Sequence, residues 1–320
     1  MKFLSVFAKL LVSVAILWFV TRFVDWSAMA ARLQQSNPWL MAAAVGCLIL
    51  QNTLAALRWW QVILALGASD PGFSRLLASY FEGLFIGQVL PATVGGDVLR
   101  VIRARGWQHT FPHAAGGVLL ERVFSLAFLV AIGLACLPRL WARLQAPEDV
   151  LLAVGLIGGW AVAFVAFILL PTAPGIVKKV RFVRGFIAVS AEGVVLMKHV
   201  GPMFVVGITS IGGHMLVFAA VGLLAWGLGL NLGFDDLVLV MPLVILIGMT
   251  PISFAGWGVR EGAMAFTLGW FGVRASDAVL LSILVGFASV LCSLPGAAVW
   301  CGLWPATVKD AHGHKCATTV

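Results

Sequence analysis

Leu90-Pro91-Ala92-Thr93-Val94-Gly95-Gly96-Asp97-Val98-Leu99-Arg100 returns without a gap as Thr250-Pro251-Ile252-Ser253-Phe254-Ala255-Gly256-Trp257-Gly258-Val259-Arg260. The proline, the second glycine and the arginine are identical, and the Thr/Ser, Gly/Ala and Leu/Val exchanges are close. Pro251 follows Pro91 by 160 positions, half of the 320-residue chain. Each copy closes an apolar run, Leu76–Leu90 in one case and Leu237–Met249 in the other. At about 1.5 Å per residue these runs reach roughly 20–22 Å, short of a hydrocarbon core of about 30 Å. Proline removes a backbone donor where each run ends, and the glycines allow positive φ and close backbone approach. Both runs therefore read as half-helices that enter a membrane and break there.

The rest of the chain supports a membrane setting. Hydrophobic residues make up 61% and charged residues 11%, against about 25% charged in a globular domain. Too little charge is present to coat a soluble body of this size. Runs long enough to cross are Phe3–Val24, Trp39–Leu57, Ala114–Leu137, Val150–Leu170, Met203–Leu230 and Ala278–Leu303. Lys2 and Lys9 before Leu10–Val20, with Ala28-Met29-Ala30 beyond, look like a signal peptide. The many spans that follow favour a retained first helix.

Loop charge discriminates between turning back and crossing. Let both short runs turn back, with the N-terminus cytoplasmic. Fourteen Lys and Arg residues then face the cytoplasm, among them Arg58, Arg75, Arg100, Arg103, Arg105 and the basic stretch from Lys178 to Lys198. Five face away (Arg22, Arg32, Arg139, Arg143 and Arg274), leaving Arg122 and Arg260 in the membrane. If both runs cross fully, the tally becomes eight inside and eleven outside, against the positive-inside rule. The hairpin reading is the better one.

The predicted fold is thus an all-α polytopic integral membrane protein with two inverted-topology repeats, each of three full spans and one re-entrant hairpin. It forms one transmembrane domain over residues 1–320, with repeat one at 1–145, repeat two at 146–305 and a cytoplasmic tail at 306–320. The segment Gly175–His199 is predicted to be an interfacial helix on the cytoplasmic surface. Inverted repeats with broken helices are the architecture of alternating-access carriers, and paired Gly/Pro interruptions point to the binding site.

The candidate site residues follow from that placement. Pro91, Gly95, Gly96, Pro251, Ser253 and Gly256 shape the two breaks. Each returning half-helix aims its positive N-terminal end into the membrane, which suits a phosphate or carboxylate. Arg100 and Arg260 occupy equivalent places one turn later. Arginine at membrane depth is expensive unless it pairs or lines a wet cavity, and its planar fork matches phosphate. Arg100 also reads as a snorkelling anchor, and Glu261 is placed to neutralise Arg260. Glu121-Arg122, early in its span, reads either as an internal ion pair or as part of a site. Glu82 has no basic residue within a turn, so it pairs across helices, with Arg122 as a candidate, or stays protonated and exchanges protons. Asp97 is expected to cap the returning helix, and His214 to be a packing residue.

Other chemistries find little support. Cys47, Cys136, Cys292, Cys301 and Cys316 include no C-x-x-C pair, so neither a disulfide framework nor a zinc site is expected. His312, His314 and Cys316 read as a tail. No P-loop, H-E-x-x-H or paired-aspartate motif occurs, so no cofactor or metal is expected. The net charge of +8 suits anionic lipid at the cytoplasmic face rather than nucleic acid.

Three motifs carry a resemblance. They are Gly87-x-x-Leu90-Pro91-x-x-x-Gly95-Gly96-Asp97-x-x-Arg100, Glu121-Arg122, and Pro251-x-Ser253-x-x-Gly256-x-Gly258-x-Arg260-Glu261. Over nearly the whole chain they resemble the lysylphosphatidylglycerol synthase transmembrane family, also described as flippase-like membrane proteins. In two-domain relatives this part is similar to the flippase, and a soluble C-terminal domain performs aminoacyl transfer. With the chain ending at Val320, the resemblance implies lipid translocation without aminoacylation, in the plasma (inner) membrane with both termini cytoplasmic. The implied partner is a membrane lipid with an anionic or zwitterionic headgroup, with a lipid-modifying enzyme as a second possible partner. Two alternatives stay open: a membrane-embedded glycosyl- or acyltransferase, for which Asp97 with His109 or His113 is the only candidate pair, and an accessory subunit of such an enzyme.

Overall fold

The computed structural model describes residues 36–89, 95–107, 110–174, 181–249 and 258–302. Ten α-helices and one short 3₁₀ turn account for nearly all of them, and no strand occurs among the described residues. In chain order they are α1 (Pro38–Ala65), α2 (Phe73–Val89), α3 (Gly95–Ala104), α4 (Phe111–Arg143) and α5 (Pro147–Leu169), then α6 (Arg181–Met197), α7 (Val200–Gly227), α8 (Phe234–Gly248), α9 (Val259–Gly269) and α10 (Ala275–Trp300). The first predicted span, Phe3–Val24, lies outside the described residues, as do Pro91, Pro251, Ser253, Gly256, His109 and the tail with His312, His314 and Cys316.

Among the described residues, five helices are long and apolar enough to cross a membrane: α1, α4, α5 with its 3₁₀ extension to Thr172, α7 and α10. Their starts follow local chemistry. Asn37 Oδ1 accepts from Trp39 N at 3.0 Å, and Pro38 opens α1 where a missing N–H is harmless. Pro147 opens α5 in the same way, with Glu148 and Asp149 facing the positive end of the helix dipole. The large exposed side chains, Val200 and Trp39 at 81% and Leu151 at 73% among them, are those a lipid solvent accepts without penalty.

Helix α1 runs past the predicted end at Leu57 to Ala65. Arg58 had marked that end and had been assigned to a cytoplasmic loop. It is instead buried inside the helix at 4% exposure. The apolar run was cut short by a charge whose partner lies on another helix.

The short helices fall where the breaks predict. Helices α2 and α3 have 17 and 10 residues, roughly 26 and 15 Å at the usual helical rise. Helices α8 and α9 have 15 and 11 residues, roughly 22 and 16 Å. None of the four is among the helices long and apolar enough to cross. The stretch before α2 meets the stretch after α3, where Ser69 N donates to Trp107 O at 3.0 Å. Helices α1 and α7 run antiparallel along each other: Asn37 N, at the start of α1, donates to Gly227 O, at the end of α7, at 3.2 Å. Arg143, at the end of α4, reaches Asp235 at the start of α8 at 3.8 Å. Helix α2 therefore starts at one end of the bundle and α8 at the other.

The core lies between these helices, with Trp59, Phe124 and Phe218 fully enclosed. Packing pairs recur under a single exchange. Helix α2 packs on α3 and α10, while α8 packs on α9 and α4. Helix α3 packs on α4 as α9 does on α10. Helix α6, within the predicted Gly175–His199 segment, packs on α4 and α5. Its Ser190 hydroxyl donates to Phe167 O, and Glu192 approaches His113 at 3.4 Å.

Candidate functional site

The site is built from α1, α2, α3 and α4, and it begins with a backbone contact. A Cβ placed on Gly96 would run into the Gly83 carbonyl oxygen, and one on Gly83 would meet Gly96 O and Arg100 Cγ, each at 2.9 Å. The two legs of the hairpin thus touch main chain to main chain. Gly96 has no positive φ, so its role is close approach rather than the left-handed turn expected of it. Similar contact holds α2 against α10, where a Cβ on Gly296 would strike the Phe81 carbonyl. Positive φ occurs instead at Gly258, at +87° just before α9, where its N–H donates to Glu261 Oε2 at 2.5 Å. That contact is the Glu half of a capping box.

Close packing of α2 and α3 carries Arg100 into the protein, and the snorkelling reading fails. Arg100 is 4% exposed, with its guanidinium carbon 4.4 Å from the Trp59 ring centroid and 4.6 Å from that of Tyr80. Two aromatic faces on one cation are worth most when water is excluded. Arg100 Nη2 donates to Glu121 Oε2 at 3.0 Å. The other oxygen of Glu121 accepts from Arg58, at 2.9 Å from Nε and 2.5 Å from Nη2. Arg58 Nη1 lies 3.5 Å from Ser210 Oγ on α7. One carboxylate thus ties α1, α3 and α4 together. Breaking such a buried arrangement by removing one partner typically costs about 3–5 kcal/mol.

Arg122, next in sequence, faces elsewhere. Its guanidinium grips Asp97 with two parallel bonds, Nε to Oδ2 at 2.7 Å and Nη2 to Oδ1 at 2.8 Å. Arg100 Nη1 adds a third contact to Asp97 at 3.3 Å. Asp97 sits in the first turn of α3 and serves as an ion-pair partner rather than the expected cap. Of the two readings of Glu121-Arg122, the internal pair gives way to pairs with other helices. Glu82 does not pair with Arg122: Arg103, another residue assigned to a loop, donates to both its oxygens at 2.9 and 2.5 Å. Taking Arg58, Arg100 and Arg103 out of the loop tally leaves the charge argument with the same sign.

Between the legs lies a pocket of about 170 Å³ lined by Tyr80, Gly83, Leu84, Gly87, Gln88, Gly96, Asp97, Arg100 and Arg122. Glu121, ten residues into α4, lies about 15 Å along the helix from its start. Of the expected site residues, Gly96, Asp97, Arg100 and Arg122 come together here. Glu82 is held to the side by Arg103. Gly95 opens α3 without lining the pocket.

Arg260 and Glu261 form a second cluster, on α9 and α10. Arg260 donates to Glu261 Oε1 at 2.8 Å and to Ser282 Oγ at 2.9 Å, and Ser282 donates to Glu261 Oε1 at 3.1 Å. Ser282 stands 160 positions after Arg122, so each hairpin arginine reaches the same turn of the following span. His113 takes Thr110 and Glu192 as partners, and His214 packs on Phe218 with Nε2 2.9 Å from Ser125 O. The sequence reading missed Arg58, Trp59, Tyr80 and Gly83. Its available signal was a charge directly before Trp59-Trp60 inside an apolar run.

No match emerges among the curated proteins, and none among the solved structures. The family comparison does match, over residues 6–296, a range that includes both hairpin helices, the arginine cluster and all five long spans. With that coverage and the apolar helices already described, the chain is a multi-pass membrane protein and belongs to the lysylphosphatidylglycerol synthase TM region family.

Proposed function

We propose that this protein moves a lipid between the leaflets of a bilayer, with its headgroup received in the pocket between α2 and α3. The observation that carries the reading is that Arg100 and Arg122 line one pocket, Arg100 enclosed and Arg122 at its mouth, in a chain whose long helices are apolar enough to cross a membrane. A charged side chain in hydrocarbon is expensive and marks a pathway for a polar group more often than a structural accident. The main-chain contact of Gly83 with Gly96 gives the pocket walls that can approach a headgroup closely.

Two further observations support a carrier. The Ser69–Trp107 bond fits a hairpin that returns to its own side, and the antiparallel α1 and α7 support the reading that α8 enters from the opposite side to α2. The packing pairs persist when α1 is exchanged with α7, α2 with α8, α3 with α9 and α4 with α10. Both are what inverted repeats around a shared site require. On this reading the chain is one transmembrane domain in the plasma membrane, and its basic loops face the cytoplasm.

The test is direct. Purified protein is reconstituted into liposomes containing a lipid labelled on its headgroup or near it, and a membrane-impermeant quencher reports arrival in the outer leaflet. Exchange faster than in protein-free liposomes is the expected result. Exchange no faster than the lipid-only control overturns the proposal.

A further inference from the structure

Away from the arginine clusters, a hydroxyl, an imidazole and a carboxylate meet where α6 packs on the start of α4. Thr110 immediately precedes α4, and its Oγ1 lies 2.6 Å from His113 Nδ1. The other ring nitrogen, His113 Nε2, lies 3.4 Å from Glu192 Oε1 on α6. Thr110 stands where a helix cap belongs, yet among the described residues its hydroxyl makes no capping bond. A threonine in that place usually accepts from a first-turn N–H, so capping does not account for its partner. Glu192 has a prepared seat: a Cβ on Gly116 of α4 would come within 2.8 Å of its Oε2. One residue on, a Cβ at Gly193 would lie 2.9 Å from Leu120 Cδ2. Two glycines, one on each helix, thus let α6 lie close enough for its carboxylate to meet His113.

An ionised carboxylate only accepts hydrogen bonds, so Glu192 calls for the proton on His113 Nε2. Nδ1 is then the acceptor, and the Thr110 hydroxyl donates to it. A hydroxyl, a base within reach of it and a third group orienting the base are the signature of an activated nucleophile. Thr110 and His113 are exposed to an incoming carbonyl, and Glu192, at 26%, is the most enclosed of the three. We propose that Thr110, His113 and Glu192 form a second, covalent site that takes the acyl group of a carboxylic ester. Thr110 Oγ1 attacks the ester carbonyl carbon while His113 Nδ1 takes the hydroxyl proton. The bond from that carbon to the alcohol oxygen breaks, and His113 returns the proton to the leaving oxygen. Water then attacks the acyl-threonine, its proton passing through His113 to the departing Thr110 oxygen, and the carboxylic acid is released. Glu192 touches no reacting atom; it is a positioning residue that holds the ring and balances the imidazolium. The activity goes beyond translocation and does not depend on it.

The test gives full-length protein in detergent the ester p-nitrophenyl butyrate, and follows release of p-nitrophenolate together with the mass of acid-quenched protein. The wild type is expected to release it faster than protein-free detergent does and to carry a butyryl group on Thr110. Thr110→Val keeps the shape without the hydroxyl, and His113→Gln removes the base. Each should lower kcat/KM by about a hundredfold, the scale of a lost general base. Thr110→Ser keeps a hydroxyl and should retain turnover. Glu192→Gln should lower kcat and leave KM unchanged, a split that a loosened α6 alone would not produce. Because Thr110 is exposed and caps nothing, Thr110→Val should keep the wild-type unfolding midpoint, so it decides the matter even if a change at Glu192 does not fold. Release no faster than in protein-free detergent overturns the site. So does turnover that survives undiminished in Thr110→Val or His113→Gln, or a butyryl group found on another residue.

Discussion

Glu121 and Arg122 are neighbours on α4, and each takes its partner from a different place: Glu121 binds Arg58 and Arg100, whereas Arg122 binds Asp97. Successive helical positions point about 100° apart, so adjacent charges serve separate surroundings. The first is an enclosed structural tie and the second lies at the pocket mouth. Their substitutions should therefore differ. Glu121→Gln leaves two buried guanidiniums without their shared anion and should destabilise by about 3–5 kcal/mol. Arg122→Gln, at a side chain that is 45% exposed, should cost less than Glu121→Gln. Thermal unfolding midpoints in detergent compare the two, and equal losses would contradict the division.

Gly96→Ala forces a methyl group against the Gly83 carbonyl. Overpacking of this kind costs about 1–3 kcal/mol, and here it also parts the walls of the pocket. The variant should unfold at lower temperature and lose translocation. Gly46→Ala, where an added Cβ meets nothing within 4 Å, should be neutral or mildly stabilising, since alanine favours helix.

The hairpin legs are also joined by Arg103 and Glu82, whose carboxylate is 3% exposed. Arg103→Gln should destabilise by leaving that carboxylate without the guanidinium, and adding Glu82→Gln should restore part of the loss. A double-mutant cycle on unfolding midpoints is expected to show coupling of about 0.5–3 kcal/mol. Additive losses would place the two residues in separate networks.

Glu192 on α6 gives a pH test. Burial raises its carboxyl pKa above the ordinary 4.5, and the nearby His113 opposes this without reversing it. The folded protein thus holds this proton more tightly than the unfolded chain. That contribution is present below the ordinary value and is lost as pH rises through the raised one. Stability should fall over this acidic window in the wild type and lose this component in Glu192→Gln. An unchanged profile in the variant would assign the slope to another group.

Much of the fold was legible because its signals are local. Asn37-Pro38 caps α1, and the described ends of α2 at Val89 and of α8 at Gly248 lie within three residues of Pro91 and Pro251 in the sequence. The charge cluster was legible only in its membership. Asp97, Arg100 and Arg122 stand out as charges near or inside apolar runs, but which meets which depends on how far α2 and α3 slide past each other. Arg103 reaches Glu82 across 21 positions, and Arg100 reaches Glu121 across another 21. Each pair joins two different helices, so periodicity within one helix exposes neither. Arg58 was misread for a related reason: a lone arginine at the end of an apolar run looks like a loop until its carboxylate is found on α4.

The carrier account requires two hairpins that face opposite sides of the membrane. Side-specific labelling tests this in a chain whose five cysteines are replaced by alanine. A single cysteine goes in at exposed Ser69, ahead of α2, or at exposed Asn231, ahead of α8. Ser69→Cys should react with an impermeant thiol reagent from the cytoplasmic side only, and Asn231→Cys from the opposite side only. Labelling of both from the same side would contradict the inverted arrangement and the alternating access built on it.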